Sequence, residues 1–110
     1  MKLSVGRLLL EKIYSSLDDK EKIWTYISEH LNITLKPHSL VGPTYWSHFN
    51  GPSIATIKEI RRKKFCDLSD FEVKNSYETL SSLRHRFRMF GSDEDEKREV
   101  AIVYFSVEKQ

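Results

Sequence analysis

The chain holds a single cysteine, Cys66, among 110 residues. No intrachain disulfide is possible, so a reducing, cytoplasmic setting is expected. Glycine and proline are sparse, at four and three residues, which excludes collagen-like and Gly/Pro-rich disordered chains. No apolar run approaches the roughly 20 residues of a membrane helix. Leu8-Leu9-Leu10 is cut short by Glu11-Lys12, and no small-residue cleavage site follows; neither membrane insertion nor export is expected. Also missing are a Gly-rich phosphate loop, a nucleophile elbow and any HxxxH or Cys–His pair at metal spacing. His30, His38, His48 and His85 are scattered. The reading is therefore non-enzymatic, with no cofactor and no metal.

What is present suits one globular domain spanning residues 1–110. Hydrophobic residues make up 39% and charged residues 31%, which supports a packed core rather than disorder. Two Trp, five Tyr and six Phe supply bulky core formers. The net charge is only +2, yet the charges are sorted. Lys58, Arg61, Arg62, Lys63 and Lys64 form one basic cluster, Arg84, Arg86 and Arg88 another, and Asp93 to Glu96 an acidic run. Such segregation creates local fields that the net figure conceals.

Spacing divides the chain into three parts. Residues 1–32 read as two helices. The first, about Val5 to Leu17, carries a stripe of Leu9, Ile13 and Leu17; the second, Asp19 to about Leu31, would bury Ile23, Ile27 and Leu31. Residues 33–52 read as an aromatic-rich loop with a short strand at Ile33–Lys36, turn signals at Gly42-Pro43 and Asn50-Gly51-Pro52, and Tyr45, Trp46 and Phe49 between them. Residues 53–107 read as helix, turn, helix and ribbon. Ile54, Ile57 and Ile60 mark a helix to Arg62. Ser69-Asp70-Phe71-Glu72 is a capping box opening a helix to about Leu83, with Val73, Tyr77 and Leu80 on its buried side. The next segment reads two ways. Phe87 and Phe90 continue the helical spacing, while Arg84 to Met89 alternates as a strand would; a hairpin with Val100–Val107 is favoured, with Ile33–Lys36 as the alternative or an additional partner of that strand.

That order, with Thr56-Ile57-Lys58-Glu59-Ile60, the Leu68-Ser69 turn and Val100 to Phe105 as closing strand, resembles the winged helix-turn-helix superfamily over residues 53–107. The expected fold is thus α+β, mostly helical, with a C-terminal β-hairpin. The resemblance implies duplex-DNA binding and transcription regulation. Lys74, Asn75, Ser82 and Arg86 would approach bases, while Arg61, Arg62, Lys63, Arg84 and Arg88 would hold phosphates. The acidic tip departs from a basic wing; it would repel phosphate, and would fold back onto the basic clusters or meet a basic protein. The alternative is a protein-interaction module of inhibitor, immunity or adaptor type, anchored by Tyr45, Trp46 and Phe49. A homodimer is compatible with either reading.

Overall fold

The computed structural model describes residues 2–33, 39–43 and 53–108. In chain order these form β1 (Lys2–Val5), α1 (Arg7–Ser15), β2 (Trp24–Ser28), β3 (Ser39–Pro43) and β4 (Ser53–Lys64), followed by a 3-10 turn (Phe65–Asp67). Then come α2 (Asp70–Lys74), α3 (Leu80–Arg86), α4 (Asp93–Glu96) and β5 (Glu99–Glu108). The strands make one sheet of order β1-β3-β4-β5-β2. β1 and β3 run parallel; every other neighbouring pair is antiparallel.

β5 is the axis of the molecule. Its apolar run was expected to be a strand, and it is one, buried from Val100 to Val103 and from Phe105 to Val107. Because side chains alternate across a strand, each face of the sheet receives its own core. On one face Val103, Phe105 and Val107 pack with Trp24, Ala55 and the Leu9, Leu10 and Ile13 stripe of α1. On the other, Val100 and Ile102 pack with Ile27, Phe65, Leu83, Phe87 and Met89. α1 covers the first face, joined at its edge by Tyr77 against Trp24, and the rest of the segment from the 3-10 turn through α3 covers the second.

This architecture corrects the mostly helical, winged-helix-like expectation: the domain is α+β with strand as its larger component. Residues 53–62 are not a helix but most of the long strand β4. The cause is a bulge between Ile57 and Glu59 in the ladder with β5, which leaves Lys58 without an opposite residue. An inserted residue resets the alternation, so Ile57 and Ile60, three apart, face the same side opposite Phe105 and Val103. A spacing of three then imitates a helical stripe. The expected helix from Asp19 to Leu31 is likewise replaced by β2, whose Trp24-Thr25-Tyr26-Ile27 is β-favouring and which pairs with β5.

The capping box at Ser69 and Glu72 is present, with both reciprocal bonds formed. Its helix stops at Lys74, however. Tyr77 takes a left-handed φ of 51°, and a second box at Thr79 and Ser82 opens α3. Arg84 to Phe90 is not a hairpin strand: α3 continues to Arg86 and ends with Arg88 at φ 56°. Leu83 and Phe87, four apart, are both buried, so the helical period prevailed over the alternating one. The partners of β5 are β4 and β2 instead. Of the expected loop over 33–52, residues 39–43 form strand β3 instead, so Gly42-Pro43 ends a strand paired with β1 and β4; Thr34 to Lys36 of the expected Ile33–Lys36 strand, and Tyr45, Trp46 and Phe49, lie outside the described residues.

Candidate functional site

Past the bulge, Glu59, Arg61 and Lys63 of β4 stand opposite Tyr104, Ile102 and Val100 of β5 and share their face of the sheet. α2 reaches the same place. Glu72, the third residue of α2 and the last of its capping box, turns its side chain back toward the sheet and is 0% exposed. Its carboxylate accepts from the Ser69 backbone N–H at 2.8 Å, from Lys63 Nζ at 2.9 Å and from the Tyr104 hydroxyl. Thr25 on β2 donates its hydroxyl to the Glu72 carbonyl. One residue therefore ties α2 to β2, β4 and β5.

The electrostatics follow from that geometry. Burial pushes the Glu72 carboxyl upward, but the donors from Tyr104, Ser69 and Lys63 outweigh it and hold the group below its ordinary range. Burial and the adjacent Glu72 carboxylate both raise the Tyr104 phenol, which keeps its proton. A carboxylate with three donors in place and a hydroxyl already donating make a strut. Neither is free to serve as a base or nucleophile.

What this strut holds up is a surface. The Tyr104 ring is flanked by Phe71, stacked at 6.4 Å between centroids and 12° between planes, and by the Arg61 guanidinium 5.1 Å from its centroid. Phe71 remains 51% exposed. Arg61 is paired with Glu59 at 2.8 Å, and both are about half exposed; the Glu59 hydrogen bond raises Arg61 and Arg61 lowers Glu59.

The candidate phosphate and base contacts are not gathered together. Arg61 and Lys63 share the α2 face of β4, whereas Arg62 alternates to the opposite face and bonds Asn32 at 3.3 Å. Arg84 pairs with Glu96 at 2.9 Å and lies over Phe65. Arg86 pairs with Glu78 at 3.2 Å, donates to the Ile27 carbonyl and lies over Tyr26 on the edge strand. Arg84 and Arg86 therefore flank the buried side of α3 from different directions. Asn75 bonds the Phe71 carbonyl at 2.9 Å and Ser82 is spent on the Thr79 cap. Lys74 is exposed, and Arg88 stands at the end of α3. The acidic run does fold back onto a basic residue, through Glu96 and Arg84.

Phe71, Tyr104 and Glu72 were absent from the expected site. Glu72 and Phe71 were visible only as members of a capping box, and Tyr104 only as one residue of an apolar strand. The available signal was Tyr104, the one residue with a hydroxyl inside that apolar run from Val100 to Phe105. Among the described residues, no group of three His, Cys, Asp or Glu side chains converges as metal ligands would. Among them too, no helix is long and apolar enough to cross a membrane. No family model, curated protein or solved structure matches the chain.

Proposed function

We propose that the chain is a non-enzymatic protein-interaction module whose binding face is built on Phe71, Tyr104 and Arg61. The observation that carries this reading is the stacked, half-exposed Phe71 on a Tyr104 ring pinned from beneath by Glu72. Aromatic and Arg side chains dominate interface hot spots, and rigid ones lose little entropy on binding. A partner offering an apolar side chain to Phe71 and a carboxylate to Arg61 fits this surface. Duplex-DNA binding has less support, because Arg61, Lys63, Arg84 and Arg86 each have an internal carboxylate partner and Arg62 alternates to the opposite face of the sheet.

The test is affinity capture with the full chain as bait, under nuclease treatment, beside a Phe71→Ala bait of unchanged circular dichroism. A protein partner retained by the wild type and lost from Phe71→Ala supports the reading. Tight binding to mixed duplex DNA at low salt that falls steeply as salt rises would overturn it in favour of a nucleic-acid function.

A further inference from the structure

A second feature lies on a different part of the chain, between α3 and β5. Phe90 is 92% exposed, the most exposed of the large apolar side chains among the described residues. It does not sit on a loose loop. Before it, Met89 is buried and its N–H donates to the Arg84 carbonyl at 2.8 Å. At Phe90 itself, the N–H donates to Asp95 Oδ2 at 2.9 Å. After it, Gly91 at φ 83° turns the chain into α4, which Ser92 caps. The Phe90 N–H and Ser92 hold the Asp95 carboxyl below its ordinary range, so the clasp stays charged. The fold thus spends two left-handed residues, a cap and a carboxylate on presenting one aromatic ring to solvent.

The exposed charges that flank Phe90 along the chain, on α3's end and on α4, are balanced. Arg88 and Lys97 are exposed cations, Asp93 and Glu94 exposed anions, and none has a hydrogen-bonding or ionic side-chain partner among the described residues. The neighbouring Asp95 and Glu96 are occupied with Phe90 and Arg84. A partner that buries Phe90 and complements these charges offers an apolar contact, two carboxylates and two cations. That is the composition of this tip itself. A two-fold contact is self-complementary by construction, with residue i of one copy meeting residue j of the other.

We infer that the Phe90 tip is a homodimer contact, in which Phe90 of two copies packs across a two-fold axis. Arg88 and Lys97 of one copy face Asp93 and Glu94 of the other. The tip is small beside the roughly 800 Å² per partner of a stable complex, so the association is weak and reversible. This contact is separate from the Phe71 face, and Phe71→Ala leaves it unchanged.

Sedimentation equilibrium of the full chain, from micromolar to millimolar at low salt, tests the inference. Wild type is expected to show a monomer–dimer equilibrium, and Phe90→Ala to weaken it by about tenfold or more, because each substitution acts twice across the axis. Two charge-reversed forms, Arg88→Glu/Lys97→Glu and Asp93→Lys/Glu94→Lys, should each be monomeric alone and form a salt-sensitive heterodimer when mixed. A wild type that stays monomeric, a dimer indifferent to Phe90→Ala, or reversed forms that fail to pair on mixing would overturn it. All substituted positions are exposed, and unchanged circular dichroism separates loss of contact from loss of fold.

Discussion

β4 and β5 are bonded to each other along their length, from Ile54 opposite Glu108 to Lys64 opposite Glu99, yet they use that ladder for opposite ends. β5 lies between two strands and two covering layers, and it is buried almost throughout. β4 carries a bulge, and from Lys58 to Lys64 every residue but Lys63 is exposed to a substantial degree. Backbone pairing alone decides neither outcome. What differs is whether another layer packs on each face, and the side-chain chemistry follows. β5 supplies the core, and β4 supplies charged residues for the Glu72 strut and the surface around Phe71.

The largest expected effect should come from attacking that contrast directly. Phe105 is fully buried between β4 and β2. Phe105→Ala should cost about 3–5 kcal/mol through lost transfer energy and the cavity left behind. Ile60, on the same face of the sheet but 36% exposed, should lose no more than about 1 kcal/mol on Ile60→Ala. Urea unfolding of the two variants checks the ratio. Similar losses would mean that β4 past the bulge is as much core as β5.

The same contrast explains how much of the fold was legible. β5 announced itself, because Val100 to Phe105 is short, β-branched and aromatic, and apolar at both parities, as a strand covered on two faces requires. The caps at Ser69 and the stripe of α1 were legible for the same reason: each is a local pattern with a local cause. β4 was hidden because its alternation is broken in the middle, and no residue type marks Lys58 as an insertion. β2 was hidden because Ile23 and Ile27 are four apart, although Trp24-Thr25-Tyr26-Ile27 favours a strand. The surface on Phe71 and Tyr104 was the least legible part. It joins residues 71 and 104 through a strand pairing that the sequence does not display.

Deleting Lys58 would test the bulge itself. If Glu59 to Lys64 keep their register with β5, residues 53–57 must invert, and Ala55 and Ile57 leave the face that α1 covers. A one-residue slip moves every affected side chain to the wrong side. The expected cost is about 2–4 kcal/mol, mainly the burial of one Ile and its neighbours. Lys58→Ala keeps the backbone count and removes only an exposed side chain, so it should stay within about 0.5 kcal/mol. A deletion no worse than the alanine variant would show that the sheet accommodates either register, and that the bulge is incidental.

Glu72 offers the finest test, because it joins the two strands by charge rather than by packing. Glu72→Gln preserves shape and leaves an amide oxygen for Ser69, but it removes the ion pair with Lys63 and presents the wrong atoms to one of the donors. About 2–3 kcal/mol should be lost at neutral pH. The sign of the pH dependence is fixed by the direction of the shift. A carboxyl held below its ordinary 4.5 in the folded chain stabilises fully above that value, and its contribution disappears as pH falls through the folded value. Wild type and Glu72→Gln should therefore differ most near neutrality and converge on acidification, in urea titrations across that range. Curves that stay parallel would mean the carboxylate gains nothing from its charge, leaving α2 attached to β4 and β5 by shape alone.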